Sequence, residues 1–293
     1  MVDSYKREWK KLYKHPFIPW IIIFFVLLIV YAYVSVGLQF QKSLALFLEN
    51  SSFSEQETRN FIANSELTNL SARLYIINPS MVITYSMATL NSLGPLGLSF
   101  IGALLFGIEY RYLRVSEMKK PDYLLGKLFS MLTFILFLIV ICILTGYLMS
   151  AITPYIFNLP MDLVNPEESL QFSFSLLQVI GTIVSLLLWG VFAACIAVVT
   201  KSLLTGITVG FIYPIIEVAF LHSWSISKIF PLFIQKSMLP ILFEKAAYGG
   251  TVSFYDMPDL YTLNQSILLS LLYIVLFVTI MFIVLKKQRV PLP

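Results

Sequence analysis

Six stretches of this chain run for about 20 residues or more almost without charge, the length of helix that crosses roughly 30 Å of hydrocarbon. They are centred on residues 17–38, 84–108, 128–150, 174–199, 203–222 and 264–285, and only the fifth contains an ionisable Asp, Glu, Lys or Arg, namely Glu217. Each is continuously apolar instead of alternating in segments of about ten residues, so helices are expected and barrel strands are not. Composition points the same way. Hydrophobic residues make up 58% of the 293 and charged residues 12%, against about 25% charged in a soluble domain, so lipid must solvate most of these side chains. The expected fold class is all-α: a polytopic membrane protein with six transmembrane helices.

Lysine and arginine set the orientation, because basic loops stay on the cytoplasmic side. With the N-terminus inside, the inner segments hold fourteen of them: Lys6, Arg7, Lys10, Lys11, Lys14, Arg111, Arg114, Lys119, Lys120, Lys127, Lys201, Lys286, Lys287 and Arg289. The outer segments hold Lys42, Arg59, Arg73, Lys228, Lys236 and Lys245. Both termini are therefore expected in the cytoplasm. The net charge of +4 is small and dispersed, which does not fit a nucleic-acid partner.

The basic start followed by an apolar run has the outline of a secretory signal, but the run is too long for one and no small-x-small site follows Val36-Gly37-Leu38. A membrane span is expected there. Ahead of it, Tyr5, Trp9, Leu12 and Tyr13 fall at i, i+4, i+7 and i+8 with Lys6, Arg7, Lys10, Lys11 and Lys14 around the remaining turn. This predicts an amphipathic interfacial helix within residues 1–16 that rests on anionic lipid or helps to dock a partner. Residues 39–80 are expected as a long outer loop, in which Ser54-Glu55-Gln56-Glu57 has the pattern of a capping box opening a short helix. A smaller outer loop covers 151–173. Residues 223–262 are too broken to span, by Pro231, Pro240, Gly249 and Gly250, and too apolar for water. Short re-entrant helices before the sixth span are expected there.

Catalytic patterns fail. Gly126-Lys127 is followed by Leu128, and Pro121 stands where a phosphate-binding loop needs Gly. There is no H-E-x-x-H or C-x-x-C, His15 and His222 fall on opposite sides of the membrane, and Cys142 and Cys195 lie at different depths. Glu217, three residues after Pro214, is costly in a span and belongs on an interior face or near an interface. Aromatic positions in the second and fifth spans, Tyr85, Phe100, Phe211 and Tyr213, join it as candidates for a pathway lining.

The segment between spans two and three carries the densest pattern: Glu109-Tyr110-Arg111-Tyr112-Leu113-Arg114, then Lys119-Lys120-Pro121 and Gly126-Lys127. It resembles the cytoplasmic coupling loop of type-2 ABC exporter permeases, in which a Glu ends the second helix and a basic residue opens the third. Glu109, Arg111 and Lys127 match in type and place. The Gly-Thr common after the Glu is absent, and Lys119 and Lys120 stand in for an Arg in the middle of the loop. The wider plan of interfacial helix, six spans and apolar half-helices before the last is similar too.

The resemblance implies an ATP-driven exporter subunit that moves an amphipathic or hydrophobic substrate, such as a peptide, an antibiotic or a lipid-like molecule, across the cytoplasmic membrane of a prokaryote. It implies that this chain is no enzyme and binds no cofactor. ATP and Mg would be held by two cytoplasmic ATP-binding subunits, which receive Glu109, Tyr110, Arg111, Tyr112, Arg114, Lys119, Lys120 and Lys127 around a loop at 109–127, with flanking contacts at Thr200-Lys201-Ser202. It also implies a second permease chain, identical or different. A membrane anchor or immunity-type interaction protein that binds a partner without moving anything is the alternative; a proton carrier using Glu217 fits less well, because carriers show internal repeats.

Overall fold

A computed structural model describes residues 2–49, 54–64, 69–107, 121–163, 172–217, 229–231, 233–235 and 261–287. Every regular element among them is helical. In chain order these are α1 (Val2–Tyr13), α2 (Phe17–Glu49), α3 (Glu55–Asn64), α4 (Asn69–Ile77), α5 (Val82–Gly107), α6 (Pro121–Phe157), α7 (Phe172–Thr200), α8 (Leu203–Ile216) and α9 (Leu263–Lys287). Five segments are long and apolar enough to cross a membrane: Phe17–Leu46, Pro79–Gly107, Pro121–Phe157, Ser175–Thr200 and Asn264–Lys287. The chain is a multi-pass helical membrane protein.

The fifth apolar run is described only in part. Its helix α8 has 14 described residues, about 21 Å at 1.5 Å per residue, short of the ~30 Å that hydrocarbon requires. Residues 218–228, where it would continue, lie outside the described residues. Lys201 starts α8 by adopting φ 55°, which turns the chain sharply back from α7, and the Ser202 hydroxyl caps the new helix by accepting the Thr205 N–H at 3.2 Å.

Two boundaries move outward from the apolar runs: α6 continues past residue 150 to Phe157, so the expected outer loop 151–173 begins as helix, and α2 lengthens in the same way. Helix α2 continues past residue 38 to Glu49, so the expected loop 39–80 begins as helix and is largely helical throughout its described part. Absence of charge marks where a chain leaves hydrocarbon; the backbone keeps its helical bonds beyond that point if side chains still pack. Here Phe40 is buried, and the Arg73 guanidinium of α4 donates to the Gln39 carbonyl and the Ser43 hydroxyl of α2. The capping box at Ser54 is present: the Ser54 N–H donates to Glu57 Oε2 at 2.7 Å and the Glu57 N–H to Ser54 Oγ at 3.4 Å.

Helices α5 and α7 form the centre. About 72% of the α5 span and 78% of the α7 span is buried inside the protein, against 11% of the α9 span, which leaves α9 an outer helix. Polar side chains join the central pair: the Thr84 hydroxyl donates to Gln178 Oε1 at 2.7 Å, and the Asn91 amide to Thr182 Oγ1 at 2.8 Å. Such contacts fix the register of helices in lipid, where packing and hydrogen bonds replace the hydrophobic drive. The closest approach is at Gly102, where a Cβ would fall on the Gly190 backbone. The free thiols of Cys142 and Cys195 are both buried.

Alanine should favour a helix over glycine by about 1 kcal/mol, yet Gly102→Ala should destabilise, because overpacking against backbone costs about 1–3 kcal/mol or more. A lower thermal midpoint of the purified chain in detergent is the expected outcome, and an unchanged or higher one would contradict the α5–α7 crossing. At the opposite end of α2 from α1, hydrogen bonds from the Ser54 backbone and side chain lower the Glu57 pKa below its ordinary value. Its capping contribution is therefore complete above the ordinary carboxylate range and is lost as pH falls through that lowered value. Amide exchange in the first turn of α3 should quicken across that step, and Glu57→Gln should abolish the step.

Candidate functional site

The most distinctive polar arrangement lies where α1 meets the ends of α5 and α6. The apolar face of α1 contains one acid, Glu8, which stands between Tyr5 and Leu12 and is only 1% exposed. Its carboxylate meets the Lys127 ammonium at 3.1 Å, with both side chains almost fully buried. Lys127 is further enclosed by the rings of Phe106 and Tyr123, 5.3 and 4.8 Å from its nitrogen, and donates to the Leu105 carbonyl at the end of α5. Lys11 at 2.9 Å and Arg7 at 3.4 Å complete the surroundings of Glu8.

Burial of this pair is physically demanding. Each ion loses several kcal/mol of hydration, which the mutual attraction offsets only with good geometry and further hydrogen bonds. The extra donors on Glu8 and the carbonyl and aromatic faces on Lys127 supply those. Pulling α1 away would strand both charges in an apolar setting, so the cluster favours this docking of α1. Gly126 allows that docking: a Cβ there would meet the backbone and side chain of Ser4 at 3.1 Å. A bond between Tyr5 Oη and Thr133 Oγ1 at 3.2 Å holds α1 further along α6. His15 lines a small pocket of about 40 Å³ beside the cluster, and its partial burial lowers the imidazole pKa from the ordinary value.

No family model, curated protein or solved structure matches this chain. Its chemistry has to be read from its own residues.

Of the residues expected to meet a partner, Lys127 is described; it faces inward, joining the end of α5 to α6 and α1. Glu109, Tyr110, Arg111, Tyr112, Arg114, Lys119 and Lys120 lie outside the described residues. A helix forms within residues 1–16, as expected: it is α1. Leu12 is buried, Tyr5 and Trp9 are half-buried against the bundle, and Lys10 and Tyr13 are exposed. Glu8 was missed, because a charge in a basic helix reads as solvated. The available signal was its position, three residues after Tyr5 and four before Leu12, on the face that packs.

A second polar cluster surrounds Glu217, at the end of α8. This carboxylate is 3% exposed and accepts the Phe233 N–H at 2.8 Å. Tyr213 and Tyr273 lie beside it. The Gln235 side chain bridges Ser185 and the Trp189 indole of α7, and the Tyr273 hydroxyl donates to the Ile229 carbonyl. Residues 229–235 are thereby bonded to α7, α9 and the end of α8. The five pathway candidates do not share one site. Tyr213 and Glu217 are together, whereas Phe211 is exposed on another side of α8. Tyr85 is buried, donating to the Ala32 carbonyl, and Phe100 meets Phe17 edge-on near the other end of the bundle. His222 lies outside the described residues. Among the described residues no group of three His, Cys, Asp or Glu could hold a metal ion.

Removing one partner of a buried ion pair costs about 3–5 kcal/mol, chiefly by stranding the other charge. Lys127→Met should therefore lower the thermal midpoint and loosen α1, read as faster proteolysis between residues 2 and 16. Adding Glu8→Leu to that variant should recover most of the loss. Equal destabilisation by the single and the double variant would refute the pairing.

Proposed function

We propose that this chain is the membrane-spanning subunit of an ATP-driven exporter of the type-2 ABC permease class, passing an amphipathic or hydrophobic substrate across a prokaryotic cytoplasmic membrane. In this reading both termini are cytoplasmic, α8 continues past Glu217 to complete a fifth span, and α9 is the sixth. Residues 223–262 re-enter from the outer side, and the bonding of residues 229–235 to the middle of α7 supports that part. Two cytoplasmic ATP-binding subunits supply the nucleotide chemistry with Mg, and a second permease chain completes the pathway.

The observation that carries the proposal is that one buried cation joins the end of α5 and the start of α6, the helices on either side of residues 108–120, to α1. Lys127 of α6 holds the Leu105 carbonyl and the Phe106 ring of α5, and is itself held by Glu8 of α1. A displacement of the end of α5 or the start of α6 therefore passes to three helices together. Uphill transport by a chain without a nucleotide site needs such a bistable connection to an outside energy source. A loop that served topology alone would need no buried charge at its base.

Purified from its own membrane in mild detergent, the chain should bring down an ATP-binding subunit with vanadate-sensitive ATPase activity. Glu109→Lys should leave the amount of protein in the membrane unchanged and lower the co-purified ATPase by about ten-fold or more, equivalent to about 1.4 kcal/mol or more of contact energy. A chain that purifies at full yield with a different partner and no ATPase favours the anchor reading and ends this one.

A further inference from the structure

Helix α1 divides its cations between two tasks. Arg7 and Lys11 turn towards Glu8. Lys6, Lys10 and Lys14 are all exposed, and at intervals of four residues they form a row along the opposite flank of the helix. No carboxylate pairs with that row among the described residues. Directly beside it on the helix surface stand Trp9 and Tyr13.

Those two residues form one wall of a groove of about 190 Å³, whose other walls are Ile22 of α2 with Phe134 and Phe137 of α6. Its lining is almost entirely apolar and one side is open. The volume exceeds that of a dry apolar cavity of roughly 150 Å³ that is already large enough to take up benzene. The groove lies where the amphipathic helix α1 meets α2 and α6; an amphipathic helix lying on a bilayer rests where headgroups give way to acyl chains.

We propose that this groove and the adjacent lysine row form one binding site for an anionic phospholipid, with an acyl chain lying between Trp9, Tyr13 and Phe137 and the phosphate held by Lys6, Lys10 and Lys14. Charge complementarity selects the occupant. A zwitterionic lipid fills the groove equally well but leaves three cations uncompensated, and a soluble phosphate meets the lysines but leaves the groove open. The Glu8–Lys127 pair builds the site, because it fixes α1 at the distance from α6 that the groove requires. The inference stands independently of export.

The test uses the full chain reconstituted in vesicles of equimolar phosphatidylcholine and phosphatidylglycerol, then extracted in mild detergent, with retained lipid counted by native mass spectrometry. Phosphatidylglycerol should be retained in preference to phosphatidylcholine, and soluble glycerol phosphate should not displace it. Lys6→Gln, Lys10→Gln and Lys14→Gln together should lower that preference by about ten-fold or more while the thermal midpoint stays unchanged. Ile22→Trp, which fills the groove, should lower retention of both lipids. Equal retention of the two lipids by the native chain, or a preference that survives the triple substitution, would overturn the proposal, as would displacement by glycerol phosphate.

Discussion

Hydrocarbon offers no hydrogen bonds, and the rest of this structure follows from that. Each backbone amide in a span must be satisfied within its own segment, so the apolar runs become helices regardless of propensity. Because the solvent is as apolar as the side chains, burying leucine against leucine contributes little to holding helices together. The central pair is therefore joined by the features lipid cannot provide: bare backbone contact at Gly102 and Gly190, and the polar bridges of Thr84 with Gln178 and Asn91 with Thr182. The large exposed apolar side chains of α6 and α9 remain on the outside, where lipid receives them.

The two ends of the bundle use polar groups in different ways. Where α1 docks, charge is buried and neutralised in a cluster drawn from α1, α5 and α6. Around Glu217, a carboxylate, an amide and two tyrosines secure residues 229–235, a piece of chain that forms no complete span among the described residues. Both clusters join elements whose apolar contacts alone would permit sliding. At the first, that restraint also positions the lysine row of α1 beside the groove it shares with α2 and α6, so one ion pair sets both the docking of α1 and the walls of that groove.

Legibility in the sequence varied with the range of the interaction. The capping box at Ser54 and Glu57 involves four consecutive residues and was visible directly. The amphipathic period of α1 was equally local, and the helix formed with Leu12 inward. Lys127 was recognisable as a basic residue near the start of the third span, though the helix itself begins at Pro121; its inward orientation was not legible, because the partner that neutralises it lies 119 positions earlier in the chain. The length of α2 was misjudged for a related reason: charge-free length measures residence in lipid, while the continuation to Glu49 is held by Arg73 from α4.

By itself, the sequence determined the solvent, and with it the helical class, the approximate location of five spans and the face that α1 turns inward, since all of these depend on hydropathy and on period along one segment. Tertiary structure alone decided which charges are buried and that the described pathway candidates are scattered. The physical reason is that an ionisable or aromatic side chain has no fixed environment of its own; its surroundings come from helices far away in the chain, and only their packing brings Glu8 to Lys127 or Phe233 to Glu217.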